Sequence, residues 1–337
     1  MALTLLRLID LPHPLVDRWD RWVESEHATF HQTQGVTTAW EVASPGAVVL
    51  AVNDHVIASF RQDNDRFVGL MGATPTISQS SGTDPAVTHS LLQEIVSSYP
   101  GMLVYLPLVD GRWLRRSGLS DAETWRRLPN PVIGWDYRGG DLIDRVVDRL
   151  GNRVQRRWRA FERASLECHE LSDDAALVAV LAIEEASWKA AYGLALHQNP
   201  LLLEFYTALL LNSLVSVQVV VDDTHPVAYR LDAYWQRTVS CLKWSYDDSY
   251  AGVSPGFYLL TKGLRDRWGH IDLSHVDLCG SPDPLKTAIA STYQDRWDVA
   301  WPAGERAKAI MRERQAHDAK LETNFRAGAG YKKIYGR

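Results

Sequence analysis

The stretch from residue 239 to residue 268 constrains the fold of this chain more than any other. Val239 to Tyr246 reads as a strand, Asp247 to Val253 as a loop, and Phe257 to Trp268 as a helix opened by Ser254-Pro255-Gly256. Ser254 suits the N-cap position, where a hydroxyl accepts a bond from a first-turn amide. Pro255 suits the first helical position, because an amide there has no intrahelical partner. Gly256 allows a ligand to approach the backbone. A strand that enters a helix through such a turn offers free amides and the positive end of the helix dipole, a setting for an anion such as a phosphate. Gly269-His270, a strand over Ile271 to Leu278 and the polar loop Cys279 to Lys286 follow.

The same alternation of helix and strand runs through the whole chain. In the first half, Leu15 to Glu26 has helical spacing, Gly46 to Val52 and Val56 to Phe60 flank the turn Asn53-Asp54-His55, and Phe67 to Met71 is a further short strand. Thr74 to Asp84 is a Ser/Thr/Gly/Pro loop, Ala86 to Ser98 a helix, Met102 to Leu108 a strand, and Leu128 to Ile133, with its two prolines, an edge strand or loop. Leu142 to Glu167 is the longest helix, studded with Arg145, Arg149, Arg153, Arg156, Arg157, Arg159 and Arg163, and reads as the bridge between halves. Helices over Ala175 to Ala190 and Leu201 to Leu214 come next. Ser216 to Val221 and Val227 to Leu231 then repeat the strand-turn-strand pattern roughly 170 residues after its first occurrence, a spacing far too long for a solenoid and suited to a duplicated α/β domain. The length of 337 residues also suits two domains.

The second half resembles the acetyltransferase-like domain of the GNAT superfamily, in the tandem branch that includes CelD-like proteins and FemAB-type peptidyltransferases. The matching pieces are Glu185-Ala186-Ser187-Trp188-Lys189 with nearby Gly193, Tyr246-Asp247 followed by Ser254-Pro255-Gly256, and Asp277-Leu278-Cys279-Gly280 with Lys286. The resemblance implies an α/β fold of two tandem GNAT-like domains, each a mixed sheet flanked by helices, joined by the long helix. The expected divisions are a first domain over 1–140, the bridging helix over 141–167, a second domain with the working cleft over 168–304, and a basic helix or tail over 305–337.

The resemblance further implies a soluble N-acyltransferase. It carries an acyl group from acyl-CoA to an amine of a small molecule, with the donor in a V-shaped cleft between the strand ending near Tyr246 and the strand Ile271 to Leu278. Lys243, Trp244, Ser245, Ser254, Pro255, Gly256 and Lys286 would hold the donor. Tyr246, Asp247 and Asp277 would handle protons and orient the acceptor, although both aspartates also suit turn capping. Trp188, Lys189 and Tyr192 would line the acceptor pocket, with core packing the other use for Trp188. In FemAB-type relatives the donor is an aminoacyl-tRNA, and the loop before Gly256 has fewer glycines than the usual acyl-CoA loop. An aminoacyl-tRNA-dependent transferase in cell-wall or natural-product chemistry is thus the first alternative, and a non-catalytic GNAT-like binding protein the second.

Other readings of these residues are weaker. Gly252-Val253-Ser254-Pro255-Gly256 matches the G-x-S-x-G nucleophile elbow, with Asp272 and His275 following in triad order. The elbow needs an amide on the residue after the serine, and Pro255 has none. The arginines of the long helix alternate with Asp141, Asp144, Asp148 and Glu162, which suits a solvated face rather than a phosphate track. The basic stretch from Glu305 to Arg337 suits a tail, a docking helix or a tRNA contact. Cys168, Cys241 and Cys279 are too few and scattered for a disulfide framework and fit a reducing, cytoplasmic setting. The histidines lack metal-ligand spacing, so no metal is expected. A net charge of -5 and the lack of a run of about 20 apolar residues argue against a membrane role.

Overall fold

The computed structural model describes residues 4–24, 30–52, 56–70, 76–78, 85–134, 145, 148, 151–280 and 283–327. It divides into two compact units, Met1–Pro129 with Gln294–Lys320, and Asn130–Tyr293 with Leu321–Arg337. These differ from the expected divisions at both borders. The segment after Pro129 enters the second sheet, and a late strand returns to the first, because each finds its hydrogen-bonding neighbours there.

The first unit is built on an eight-stranded sheet. Its strands are β1 (Thr4–Arg7), β2 (Val48–Val52), β3 (Val56–Asp63), β4 (Arg66–Gly69), β5 (Thr76–Ser78), β6 (Leu103–Asp110), β7 (Glu123–Arg126) and β15 (Arg296–Trp301). The order is β1-β2-β3-β4-β6-β15-β7, with β5 also on β3. The expected first hairpin is the antiparallel β2–β3 pair; its turn lies outside the described residues. β5 falls within the stretch expected as loop. Helix Pro85–Ser98 buries Leu91, Leu92 and Ile95 against Phe60, Phe67 and Val104. The long helix Glu305–Ala327 buries Ala307, Ile310 and Met311 against Leu103 and Tyr105. Asp298 ties the returning strand in place: its buried carboxylate accepts from the Tyr105 hydroxyl at 2.7 Å, the Leu108 amide at 2.9 Å and Arg127 at 2.7 Å.

The second unit has a seven-stranded sheet in the order β14-β8-β13-β12-β11-β10-β9. Its strands are β8 (Asn130–Gly134), β9 (Glu167–Leu171), β10 (Ser216–Asp222), β11 (His225–Trp235), β12 (Thr238–Tyr246), β13 (His275–Asp277) and β14 (Thr292–Gln294). Val217 and Val219 alternate with Ser216 and Gln218 in β10, which pairs antiparallel with β11 as the second expected hairpin. β8, expected at an edge, lies between β13 and β14; its proline-bearing start still accepts, through the Pro131 carbonyl, the amide of Leu278 at 3.1 Å.

One face of this sheet is covered by helices Asp173–Ala186, Trp188–Ala191 and Pro200–Leu211. The described part of the expected long helix, Asn152–Arg163, packs in this unit, stacking Phe161 on Tyr258 at 3.9 Å; Arg145 and Asp148 are also helical, and the other residues of 142–150 lie outside the described residues. The helix after β12 is Pro255–Tyr258, a π turn over Leu259–Gly263, then Leu264–Trp268. The π turn releases backbone carbonyls from the regular ladder. Buried Arg230 donates to the Leu259 carbonyl and pairs with Asp232 at 2.8 Å, and the Trp268 indole donates to the same carboxylate at 2.8 Å.

Candidate active site

β12 pairs with antiparallel β11 along its whole length, from Thr238 opposite Trp235 to Tyr246 opposite Ala228. On its other edge it pairs with parallel β13 only through Thr238, Val239 and Ser240. β13 then ends, because Cys279 at φ 44° and Gly280 at φ 75° turn the chain aside through left-handed conformations. Beyond Ser240 the free edge of β12 therefore meets no strand among the described residues. The strand expected over Ile271 to Leu278 is cut to His275–Asp277, since the Ser274 amide bonds the Arg237 carbonyl at 2.6 Å and Asp272 pairs with Arg237 at 2.8 Å.

Lys243 and Ser245 alternate with Trp244 and Tyr246 along β12, so the two pairs face opposite sides of the sheet. On the first side sits Glu184, fully buried in helix Asp173–Ala186. Its carboxylate accepts from Lys189 at 3.1 Å, from the Tyr229 hydroxyl at 2.6 Å and from the Leu196 amide at 2.8 Å, and lies 3.3 Å from Lys243. Burial alone would raise its pKa, but Lys189, Lys243 and these hydrogen bonds outweigh it and hold the group below the usual carboxylate range. Lys189 also donates to the Trp244 carbonyl at 2.5 Å. Burial first, then the charge of Lys243, brings Lys189 down to about 8, against the pull of Glu184. Sequence reasoning missed Glu184, although Ala176, Val180 and Glu184 share one helical face at four-residue spacing, which puts Glu184 inward and Glu185 outward. Tyr206 and Tyr229, both buried beside this carboxylate, carried no comparable signal.

On the second side the rings of Trp244 and Tyr246 pack against Gly256. A β-carbon at Gly256 would stand 2.7 Å from the Trp244 ring and 3.0 Å from that of Tyr246. The helix start differs from the expectation for Ser254. Its φ of 54° and ψ of 53° are left-handed, and its side chain caps no amide. The Ser254 carbonyl instead takes the amides of Phe257 at 3.1 Å and Tyr258 at 3.2 Å. Pro255 has no N–H, so Gly256 supplies the remaining amide of this first turn. Tyr246 is buried, and burial with nearby Asp248 pushes its hydroxyl up to about 12.

Asp247 is engaged in its own turn. It accepts from the Ser249 amide at 2.8 Å and the Ser249 hydroxyl at 2.7 Å, with His225 at 3.4 Å, and these contacts outweigh burial to lower its pKa. Asp277 accepts from Asn130 at 2.6 Å and from the Cys279 amide at 2.8 Å, fixing the end of β13. Lys286, buried in helix Pro284–Ile289, reaches back to the Cys279 carbonyl. Burial and Asp277 push the Cys279 thiol well above its ordinary range, which disfavours a thiolate nucleophile. Trp188 and Tyr192 form an edge-on pair 6.0 Å apart, both half-buried beside Lys189. The structure thus gathers Lys189, Lys243, Trp244, Ser245, Tyr246, Gly256 and Lys286 around the parting strands, and gives Asp247 and Asp277 supporting positions at their ends.

Arg159 and Arg163 face solvent on the helix Asn152–Arg163, and Lys262 pairs with Glu162 at 3.2 Å, the solvated arrangement expected from interleaved charges. Residues 328–337, including Gly328-Ala329-Gly330, lie outside the described residues. Among the described residues no cluster of histidine, cysteine and carboxylate side chains is arranged to hold a metal, and no helix is long and apolar enough to cross a membrane.

Residues 149–287 match the family model of the acetyltransferase (GNAT) domain. No curated protein matches the sequence. Among solved structures, FemX is similar with a TM-score of 0.59 at 9% identity, over 91% of this chain and 99% of that one. L-PGS from Bacillus licheniformis has a TM-score of 0.58 at 9% identity, over 88% and 96%. A tandem GNAT protein from the clavulanic acid biosynthesis pathway has a TM-score of 0.53 at 9% identity, over 90% and 99%. At such identities the likeness speaks for the fold. The matched segment contains both parting strands and the helix between them, and the whole chain has the tandem architecture. The second half of the chain thus carries the match to the acetyltransferase (GNAT) domain.

Proposed function

We propose that the protein transfers an activated acyl group from acyl-CoA to the amine of a small molecule. The observation that carries this reading is the parting of β12 from β13 after Ser240, which leaves a strand edge for an extended donor arm. Main-chain groups between Lys243 and Tyr246 would align the thioester there, and their amides would stabilise the developing oxyanion. The amine attacks in its neutral form; the new C–N bond forms as the C–S bond breaks, the proton shed by the amine nitrogen returns to the enzyme's acid, and the thiolate leaves with a proton from that acid. Tyr246, protonated throughout the working range of pH, is the candidate donor of that proton. Lys189 fixes the Trp244 carbonyl, while Asp247 and Asp277 set the two strand ends. No covalent intermediate on the enzyme is needed.

One observation favours a second donor. The amides of Phe257 and Tyr258 are spent on the Ser254 carbonyl, so a CoA pyrophosphate would find a sparse cradle at this helix start. An aminoacyl-tRNA ester needs no pyrophosphate cradle. Calorimetry with CoA and acetyl-CoA separates the two readings: micromolar binding supports acyl-CoA. Absence of CoA binding, together with ribonuclease-sensitive transfer in a reconstituted tRNA-charging reaction, replaces it with aminoacyl-tRNA.

A further inference from the structure

With Tyr246 as the candidate donor of the thiolate's proton, the amine's proton needs a receiver at the same strand edge. The register of β11 and β12 tells which groups lie there. The Asp247 amide bonds the Val227 carbonyl at 2.8 Å, and the pairs from Tyr246–Ala228 to Lys243–Leu231 run without a shift. Neighbouring residues of an antiparallel strand turn their main-chain groups to opposite edges. Ser245 and Lys243 thus share the direction of Asp247, toward β11, and Trp244 and Tyr246 turn theirs to the edge that β13 has left. The Nζ of Lys189, 2.5 Å from the Trp244 carbonyl oxygen, therefore stands at that open edge.

The hydrogens on this nitrogen can be counted. An ammonium carries three N–H groups, whereas the neutral amine carries two and a lone pair. Among the described residues Nζ has two acceptors, Glu184 at 3.1 Å and the Trp244 carbonyl. The neutral amine satisfies both and keeps its lone pair for a third hydrogen. Glu184 retains a counter-charge when Lys189 is neutral, because Lys243 lies 3.3 Å from its other oxygen. The Tyr229 hydroxyl and the Leu196 amide also donate to it.

The other groups around the site are Tyr206, whose ring lies 6.0 Å from Lys243, and Tyr192 beside Trp188. Tyr206 and Tyr229 are held neutral by burial. Lys286 acts from farther off, bonded to the Cys279 carbonyl with Asp277 and Asp283 near that bond. Burial and the charge of Lys243 favour the neutral amine and Glu184 opposes it, with the balance at about 8.

We propose that Lys189 is the base of the transfer. Its neutral amine takes the proton from the attacking nitrogen as the C–N bond forms. The resulting ammonium passes that proton through solvent to the Tyr246 phenolate left when the thiolate is protonated, so both groups return to their starting forms. The inference rests on the reading of acyl transfer at this edge.

Two measurements on the full chain test it. The first is competitive labelling with acetic anhydride from neutral to strongly alkaline pH, read by peptide mass spectrometry. Lys189 should reach half its full reactivity near pH 8, below the exposed Lys308. No labelling of Lys189 in the folded chain, or a midpoint level with that of Lys308, overturns the proposal whatever the donor. The second is thiol release from acetyl-CoA with hydroxylamine, a weakly basic amine already neutral at the lower end of the range. Turnover should rise with pH through about 8 and then level off. Lys189→Arg keeps a cation for Glu184 and the Trp244 carbonyl but holds its proton. Its turnover should fall about a hundredfold or more, with CoA affinity unchanged. Lys243→Met removes the neighbouring cation and should shift the rise to higher pH. Wild-type turnover by folded Lys189→Arg, or an unmoved rise in folded Lys243→Met, overturns the proposal. Melting curves identify a variant that fails to fold, and the labelling needs none. Where the wild type releases no thiol, labelling alone decides for or against Lys189, and calorimetry with CoA separately decides the donor.

Discussion

The ammonium of Lys189 lies 2.5 Å from the main-chain oxygen of Trp244. A side chain from the helix before the sheet thus holds the strand edge that β13 abandons, at the point where a regular sheet would have used a neighbouring amide. The bond couples the shape of the opening to the charge state of one lysine, and that lysine is anchored by Glu184.

Replacing Glu184 with Gln should destabilise the protein by about 3–5 kcal/mol, the usual result of stranding one partner of a buried ion pair. Lys189 and Lys243 would then face one another without their shared carboxylate. Urea unfolding of the variant and the wild type reads the difference, and a loss below about 1 kcal/mol would contradict this account of the site.

The pH dependence of stability should carry the mark of Lys189. Its pKa falls from 10.5 in the unfolded chain to about 8 in the folded one. Between those values the unfolded state binds more protons, so this group makes the protein more stable as pH rises from about 8 toward 10.5. At pH 7 both states are protonated and the cost of burying the charge is present in full. The full span is worth at most about 3 kcal/mol. Thermal melts from pH 7 to pH 10.5 should show a wild-type gain, relative to Lys189→Met, that is confined to that window.

Gly256→Ala should be poorly tolerated. The added methyl would meet the Trp244 and Tyr246 rings at 2.7 and 3.0 Å, and neither is the free end of a flexible chain. Overpacking of this kind costs about 1–3 kcal/mol. Differential scanning calorimetry should show a lowered Tm, so any loss of donor binding by this variant has to be compared with its stability.

Asp232→Asn should cost about 3–5 kcal/mol by leaving buried Arg230 without its counter-charge. The loss should appear in urea unfolding and as increased hydrogen exchange across Leu259–Gly263, whose π turn is anchored by Arg230.

Tyr246→Phe should lower kcat by about tenfold to a hundredfold with little change in donor KM, if the phenol supplies the leaving-group proton. Steady-state kinetics on the identified substrates measures both, and an unchanged kcat removes Tyr246 from the chemistry.

Much of the second unit is legible in the sequence because local signals agree with tertiary needs. The valines of β10, the Asp222-to-Pro226 turn and the apolar run of β12 each fit both a period and a burial. What escapes lies where tertiary contacts decide. Ser254 has the composition of a side-chain cap, but it takes a left-handed conformation and its carbonyl does the capping. Ile271 to Leu278 alternates apolar and polar residues over much of its length, as a strand would, yet Arg237 draws its first half into a loop. Glu184 looks like half of an exposed Glu-Glu pair until the helix is phased, and of its lysine partners Lys189 is five residues on while Lys243 comes from a strand distant in the chain. The proline-bearing segment at Asn130 shows no sign that it will sit inside the second sheet.

The placement of Arg296–Trp301 between Leu103–Asp110 and Glu123–Arg126 bears on synthesis and truncation. The earlier half of the polypeptide cannot finish its own sheet when it leaves the ribosome; it waits for a piece made after almost the whole later half has emerged. A shortened gene ending at Tyr293 would therefore damage the beginning of the protein more than its end, whereas a fragment from Asn130 to Tyr293 keeps every strand of the second sheet but the last residue of Thr292–Gln294.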